Sequence, residues 1–543
     1  MEEFTEEEKQ LIQPFFTNID KPVFALVNLP EVVKGALFSR YSRTDKSLRR
    51  VLLDEFINAP EMGFKEIVGF QVGQGKDQIV AIKKAEEFYD RVLVGYGDDS
   101  VAELGGAHLA VENVSNVATK VLEDSRIGLS PLEKSTRYVY FDKKIDGRYA
   151  YYLDPEIMNS QFADLYTEIN NSLFDTYVKM MGPMNKFIVE RFPQEEGVTD
   201  RAYKSTIRAK VCDILRVLLP ASTLTNMGMF GNGRAFEYLI TKMYAHPLPE
   251  LRNLAGSIHE ELNMVIPSFV KRAHPSDKYG GETNRYFVTT MQAMRNLSKE
   301  ILDGHKPTEM EPVVLVYYDK DAEDKVAAHC LYPFSNLPLH QLLENVKKMS
   351  EIQKRKIIEE YVKRRENRRH RPGRAFENTY YGFDILGNYG IYRDIQRHRI
   401  LTQERQLLST EHGYDTPQEI TDCNLENEYR DIMKKAKDAH ENIAKTMPLH
   451  AQYVVPMGYK LRWYMTMNLR ELFHLTELRS IKQGHPYYRR LAQLMALKVK
   501  EVHPFLAQHL KFVDMNTYGG LERLESEKRI DMKLEQMKKK YGA

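Results

Sequence analysis

Three consecutive residues near position 398 combine two guanidinium groups with an imidazole. The segment QRHRILT at 396–402 places Arg397, His398 and Arg399 side by side. Consecutive positions do not share one helix face, so these side chains would contact a ligand from more than one side. Arginine suits a pyrophosphate because its planar fork donates two hydrogen bonds at once. The triplet indicates an anion site, and the pattern alone leaves open a solvated basic helix end.

A second polar motif lies in the first half of the chain. The segment LEKSTRYVY at 132–140 has Glu133, Ser135 and Arg137 at alternate positions. A serine hydroxyl, an arginine and nearby backbone amides together can bind a phosphate. An exposed strand produces the same alternation, so both interpretations stay open.

Two distant segments share a proline and an Asn-x-Arg at matching distances. The proline precedes the asparagine by 12 residues in both, with Pro220, Asn232 and Arg234 in one segment and Pro456, Asn468 and Arg470 in the other. A Leu-Ala and then a proline recur at nearly equal distances beyond each asparagine. Three matches in the same order indicate an internal duplication.

The surrounding sequence predicts the elements that position these motifs. The segments 312–319 and 379–385 have strand-like patterns, and a helix through Asp394 follows the second one. We expect a mixed α+β fold of two tandem repeats related by a pseudo-twofold axis. The first repeat would span 1–303 with a polar insertion at 140–205, the second would span 312–520, and 521–543 would form a charged helical tail.

Composition places the chain among soluble proteins of more than one domain. Its 543 residues exceed one ordinary core, and no run of about 18 apolar residues predicts a membrane span. The acidic start MEEFTEEEKQ is unlike a secretory signal, and the three widely spaced cysteines have no metal-ligand spacing. We expect a cytoplasmic protein without a metal site.

Together these motifs resemble those of the flavin-dependent thymidylate synthases. In that family Arg-His-Arg and Glu-x-Ser-x-Arg-Tyr form one continuous signature, whereas here the signature is divided between the halves. The first half keeps the later part, in EDSRIGLSPLEKSTRY at 123–138, and the second keeps Arg-His-Arg, in RHRILTQERQLLST at 397–410. The resemblance covers both halves apart from the insertion and the tail, and it implies two repeats with complementary losses.

Two further family arginines are divided in the same way. The family holds its nucleotide with an arginine four residues before the proline, which matches Arg216 in the first half but Gln452 in the second. A second arginine, eleven residues after the asparagine, matches Arg479 in the second half but Met243 in the first. One complete site would therefore combine residues of both halves, and the other site would be inactive.

The resemblance implies a role for each of these residues. The implied catalytic residues are Ser135, Arg137 and Arg479, with the serine as a binding group and not a nucleophile. The implied cofactor-binding residues are Arg397, His398, Arg399, Asn468, Arg470, Asn232 and Arg234. The implied substrate-binding residues are Glu133, Ser135, Arg137, Arg216 and Arg479. Family members are homotetramers, so this duplicated chain is expected to form a homodimer.

The implied reaction is FAD-dependent methylation of dUMP. NADPH would reduce FAD, methylenetetrahydrofolate would give its carbon to C5 of dUMP, and the reduced flavin would complete the methyl group. Two departures leave another pyrimidine nucleotide open: Asp394 replaces a family glutamine, and Asp98 replaces a flavin-binding histidine. An inactive flavin-binding relic of the duplication is a further alternative. The basic segment 353–374 permits a nucleic-acid interface, but its interspersed glutamates favour a solvated helix.

Overall fold

The computed structural model describes residues 3–42, 44–59 and 101–542, so Asp98 lies outside the described residues. The chain divides into two units. The first unit comprises Met1–Val114, Val121–Glu133 and Thr225–His305. The second unit comprises Ser115–Lys120, Lys134–Leu224 and Lys306–Ala543. Lys134–Leu224, which is part of the first predicted repeat, therefore belongs to the same unit as the second repeat. The boundaries of the two repeats remain a prediction.

Two sheets share one strand order. The described strands of the first sheet are β1 Gly106–Ser115, β2 Leu129–Glu133 and β3 Leu224–Asn232, in the order β1-β3-β2. The second sheet contains β4 Val313–Tyr318, β5 Tyr380–Asn388, β6 Leu401–Arg405 and β7 Lys460–Asn468, in the order β4-β5-β7-β6, and its neighbouring strands are antiparallel. The strands expected at 312–319 and 379–385 are confirmed by β4 and β5. Because β5-β7-β6 repeats the order β1-β3-β2, the strand topology supports a duplication, whereas the pseudo-twofold axis stays a prediction.

Three of these strands lead directly into helices through an asparagine. β3, β5 and β7 end at Asn232, Asn388 and Asn468. Each side-chain oxygen accepts a backbone N–H three residues further on, at 2.8, 3.0 and 2.9 Å respectively. Asparagine is favoured at this position because it satisfies an N–H that the helix leaves unpaired. The recurrence of asparagine in the duplicated motif therefore has a structural cause.

Two neighbouring helices of the first unit, Gly233–Tyr244 and Pro249–Asn263, each bury an apolar side. The α-helices of its described residues are Glu6–Ile12, Glu31–Tyr41, Leu48–Val51, Gly233–Tyr244, Pro249–Asn263, Pro267–Val270 and Lys278–Ile301. The helix Asn116–Asp124 has residues in both units. Phe236, Ile240, Leu251 and Ile258 recur at helical spacing and are almost fully buried. This spacing produces the core of the unit.

The second unit contains most of the long helices among the described residues. Its α-helices in the described residues are Pro155–Met158, Ala163–Arg191, Asp200–Leu215, Ala322–Leu331, Leu339–Lys347, Glu351–Val362, Tyr389–Ile395, Gln418–Asp422, Glu426–Ala444, Leu469–Arg479, Pro486–Val502, Pro504–Ala507 and Leu524–Tyr541. The helix expected through Asp394 is confirmed and ends one residue later. None of the helices in the described ranges has the length and apolarity required to cross a membrane.

The two proline segments pair with each other inside the second unit. Pro220 and Pro456 form an antiparallel bridge. The backbone N–H of Ala221 donates to the carbonyl of Val455 at 2.9 Å, and that of Met457 donates to the carbonyl of Leu219 at 2.9 Å. Equivalent residues of the two repeats thus exchange hydrogen bonds, which fixes Arg216 relative to the second repeat.

The predicted insertion at 140–205 contains the helix Ala163–Arg191. This helix lies beside Glu426–Ala444, with Lys179 and Glu428 paired at 2.6 Å. The second repeat therefore also has a helix before its proline segment, although a shorter one. The predicted insertion therefore packs against a helix of the second repeat within the second unit.

Candidate functional site

Arg216 is buried at the end of a helix and pairs with an aspartate of the second repeat. The helix Asp200–Leu215 ends immediately before it. Both terminal nitrogens of Arg216 donate to Oδ2 of Asp394 at 3.2 Å. Only 3% of Arg216 is exposed. Removing either partner would leave the other as a buried, uncompensated charge.

Asp394 is the centre of a group of guanidinium ions. It lies three residues before Arg397, whose Nη2 donates to Oδ1 of Asp394 at 3.3 Å. Burial alone would raise the pKa of the Asp394 carboxyl, but four arginines hold it well below its ordinary value: Arg216, Arg137, Arg397 and Arg479. We call these four residues the arginine cluster. Two come from each predicted repeat, and all lie in the second unit.

Arg137 joins the cluster through a second aspartate. Its Nε and Nη2 donate to the two carboxylate oxygens of Asp213 at 2.6 and 2.7 Å, and its Nη1 donates to the hydroxyl of Tyr488 at 3.3 Å. Burial alone would lower the pKa of the Arg137 guanidinium, but Asp213 raises it well above the ordinary value. Ser135 lies in the preceding turn, where its Oγ accepts the backbone N–H of Arg137 at 3.2 Å. The motif is therefore not one continuous strand, because β2 ends at Glu133.

A chain of hydrogen bonds connects the cluster to the Arg-His-Arg triplet. Nε of Arg479 donates to Nε2 of His398 at 2.9 Å, and Nδ1 of His398 lies 2.8 Å from a carboxylate oxygen of Glu471. Because a guanidinium only donates, Nε2 of His398 must accept this hydrogen bond. Nδ1 of His398 therefore carries the N–H that donates to the Glu471 carboxylate. His398 is therefore a neutral imidazole that orients Arg479, with both ring nitrogens engaged within the chain.

His398, Glu471 and His474 have ligand atoms within 4.8 Å of one another, close enough to share a metal ion. The charges around them disfavour a cation. Burial, together with Arg371 and Arg479, lowers the pKa of His474 to about 4. Arg479 also occupies Nε2 of His398. We assign no metal to this group.

The remaining flavin-binding candidates of the second unit differ in how far they are engaged. Arg397 exposes 33% of its side chain, and its buried Nε has no hydrogen-bond partner among the described residues. Arg399 is exposed. Asn468 caps a helix, and Arg470 donates to the carbonyl of Pro372 at 2.7 Å and to Glu377 at 3.2 Å. Arg397 and Arg399 are therefore accessible to an added ligand.

Three predicted site residues, Glu133, Asn232 and Arg234, belong to the first unit. Asn232 and Arg234 line a pocket of about 620 Å³ there. Arg234 donates to Glu103 at 2.8 Å, and both side chains are about half exposed. Glu133 is the last residue of β2. All four residues of the arginine cluster belong to the other unit.

The counterparts of Arg216 and Arg479 carry no charge. Gln452 accepts the backbone N–H of Leu408 at 3.2 Å and donates to the carbonyl of Leu449 at 2.8 Å. Met243 is completely buried. Neither position supplies a cation.

Sequence reasoning missed Asp213, Tyr488 and His485. Asp213 stands in the apolar run VCDILRVLLP at 211–220, and a carboxylate in such a run requires a buried partner, so this signal was present. His485 precedes the helix Pro486–Val502; its Nδ1 accepts the backbone N–H of Tyr487 at 3.3 Å, and its Nε2 lies 3.3 Å from the carbonyl of Asp213. Tyr488 and His485 contact the first repeat only through the tertiary fold, so the sequence gives no local signal for them.

We expect His485 to make the fold less stable as the pH falls. Burial and nearby Arg216 lower the pKa of His485 to about 3, although Asp213 and Asp394 oppose the shift. Below the ordinary value of 6.5 the unfolded chain binds a proton that the folded chain does not. The free energy of unfolding should therefore fall by up to about 1.4 kcal/mol per pH unit on acidification.

Urea unfolding between about pH 4.5 and 6.5 measures this slope in the wild type and in His485→Gln, and the variant should show a shallower dependence. His340 is exposed and makes a suitable control, so His340→Gln should keep the wild-type slope. Equal slopes in the wild type and His485→Gln would contradict a buried, neutral His485.

Comparisons with known proteins identify the family of the chain. The model of the family described as thymidylate synthase complementing protein matches residues 58–268 and 314–505. A UPF0159 protein of Chlamydia pneumoniae is 46% identical over 530 residues, covering 97% of this chain and 98% of the relative. A UPF0159 protein of Thermoplasma acidophilum is 36% identical over 528 residues, covering 92% and 99%. A flavin-dependent thymidylate synthase of Sulfurisphaera tokodaii is 28% identical over 148 residues, covering 25% of this chain and 56% of that enzyme. The chain therefore belongs to the thymidylate synthase complementing protein family, whose model it matches in two successive segments.

Proposed function

We propose that this chain is an FAD-dependent enzyme that methylates a pyrimidine nucleotide, with dUMP as substrate and methylenetetrahydrofolate and NADPH as co-substrates. The observation that carries the proposal is the arginine cluster: Arg137 and Arg216 come from one repeat, and Arg397 and Arg479 from the other. Such a cluster supplies the charge-assisted donors that a nucleotide phosphate and a pyrimidine carbonyl require.

Ser135, Arg137, Arg216 and Arg479 would hold the nucleotide. Arg137 and Arg479 are both close to Tyr488, with each guanidinium 5.7 Å from the ring centre. This shared contact holds the two arginines, one from each repeat, on the same aromatic side chain. The site would need only one chain, because all of these residues lie in the second unit.

Two arginines of the triplet fit a flavin. Nε of Arg397 is buried without a partner among the described residues, and Arg399 is exposed beside it. Guanidinium groups stabilise the negative charge of a reduced flavin and of its phosphates. When bound, FAD would supply the hydride that completes the methyl group.

An inactive flavin-binding protein is the second candidate. It is favoured by the engagement of Arg216 with Asp394 and of Arg137 with Asp213, since both arginines already have anionic partners. A nucleotide would have to compete with these carboxylates. Another pyrimidine nucleotide as the substrate is a further alternative, and the absorbance measurement below can be repeated with it.

The absorbance spectrum of the purified protein, with and without dUMP, separates the candidates. Flavin bands that shift with dUMP, followed by dTMP formation with methylenetetrahydrofolate and NADPH, are the expected result. Flavin bands without turnover would favour the inactive protein. A protein that takes up no FAD would contradict both.

Arg397→Ala and Arg399→Ala should each weaken FAD binding about tenfold or more, because each removes a charge-assisted contact of about 1.5–3 kcal/mol. Fluorescence titration of the apoprotein with FAD measures this. Arg430 is exposed on Glu426–Ala444 and pairs with Glu426, so Arg430→Ala is the matched control. Unchanged FAD affinity in both triplet variants would mean that the triplet is only a basic helix end.

A further inference from the structure

The segment after the family-matched region crosses the second unit. The matched residues end at 505, and the chain continues through Asp514 and Asn516 towards a last helix. The backbone N–H of Asp514 donates to Oγ of Ser480 at 3.0 Å. Arg489 donates to the carbonyl of Asn516 at 2.9 Å, and Gln493 donates to the carbonyl of Asp514 at 2.8 Å. This segment is therefore fixed on the second repeat.

Arg523, at the end of the segment, reaches residues of the first repeat. Its Nη2 donates to Oδ2 of Asp213 at 3.4 Å, and its guanidinium lies 4.4 Å from the ring centre of Tyr138. The helix that follows is held by Arg201, which pairs with Glu527 at 2.9 Å. Contacts made by the chain before and after Arg523 hold it in place, and it shares Asp213 with Arg137.

A cavity of about 220 Å³ lies between the segment and the arginine cluster. Its wall includes the charged side chains of Arg137, Lys210, Asp213, Glu419, Glu522 and Arg523. It is large enough for a phosphate group and too small for a flavin dinucleotide.

The acidic groups of this wall are already bonded. Asp213 accepts from Arg137 and Arg523, and Lys210 pairs with Glu419 at 3.0 Å. Glu522 accepts the backbone N–H of Gly520 at 2.9 Å. Arg523 differs: it exposes 11% of its side chain, and its buried Nη1 has no hydrogen-bond partner among the described residues. A buried guanidinium nitrogen without an acceptor favours an acceptor in the adjoining cavity, and an anion makes the stronger hydrogen bond.

We propose that this cavity is an anion subsite of the nucleotide site and that Arg523 binds the phosphate monoester of the nucleotide. The inference rests on the proposed nucleotide-binding function. It adds a residue from outside the family-matched segments, and it gives the C-terminal segment a role in ligand binding.

Calorimetry with dUMP, deoxyuridine and inorganic phosphate tests the proposal on the full chain. Arg523→Ala should raise the Kd for dUMP about tenfold or more and leave that for deoxyuridine unchanged, because only dUMP carries the phosphate. Arg523→Lys, which keeps the charge, should recover part of the affinity. Arg529 is exposed on the same C-terminal helix, so Arg529→Ala should behave as the wild type.

Each other outcome is decisive. Wild-type dUMP affinity in Arg523→Ala, or an equal loss for dUMP and deoxyuridine, would overturn the subsite and leave the proposed function standing. If the wild type binds no dUMP, the proposed function fails, and inorganic phosphate then decides. A phosphate-induced rise in melting temperature that requires Arg523 would keep the anion subsite, and no such rise would end it.

Discussion

Asp394→Gln should bind dUMP about tenfold or more tightly than the wild type, since it removes a carboxylate that competes for charge-assisted hydrogen bonds worth about 1.5–3 kcal/mol. Both terminal nitrogens of Arg216 are engaged by Asp394 at 3.2 Å. Glutamine, the residue that the family resemblance implies here, is neutral and would leave the guanidinium to the phosphate. The gain should be larger at low ionic strength, where an anionic ligand is screened less.

The same substitution should lower the free energy of unfolding by about 3–5 kcal/mol, because Arg216 is left buried without its anionic partner. Glu477→Gln is the matched control, since Glu477 is buried and pairs with Arg365 at 2.6 Å within the same unit. It should reduce stability without changing dUMP affinity. Calorimetry and urea unfolding of both variants provide the two measurements. A weaker affinity in folded Asp394→Gln would mean that Asp394 contacts the ligand itself.

Local features of the fold could be predicted because they depend on neighbouring residues. Alternation predicted the strand at 379–385, and the helix after it ends at Ile395, immediately before the Arg-His-Arg triplet. Asn468 belongs to the repeated motif, and in the structure it caps a helix. The alignment of the two repeats on their prolines also predicts, from the sequence alone, that Arg216 has the uncharged counterpart Gln452.

The partners of the site residues could not be predicted in the same way. Asp213 contacts Arg137 across 76 residues of chain, and Arg523 contacts Asp213 across 310. A buried charge indicates that some partner exists, but only the tertiary fold selects which one. Sequence periodicity also gave no sign that Lys134–Leu224 would fold with the second repeat, because that choice depends on contacts between distant segments.

Arg216→Ala and Arg479→Ala should each reduce kcat/KM for dTMP formation roughly 100-fold, because truncating a buried, charge-paired group costs about 2–5 kcal/mol. Mixing the two variants should restore no activity. Both side chains lie in the second unit of one chain and act on the same Asp394, so neither variant can supply an intact cluster to the other. Far-UV circular dichroism and thermal unfolding confirm that each variant is folded before mixing.

A cluster formed between two chains would give a different activity on mixing. If the cluster formed between chains of a homodimer, equal mixing with free exchange would make half of the dimers mixed, and about one quarter of all sites would be intact. Activity near a quarter of the wild-type value would therefore contradict a cluster within one chain. Titration of the wild type with dUMP measures the number of sites: with Gln452 and Met243 in place of the second set of arginines, it should end at one dUMP per chain. Two per chain would show that the degenerate residues still bind a nucleotide, and complementary loss would then not explain the duplicated chain.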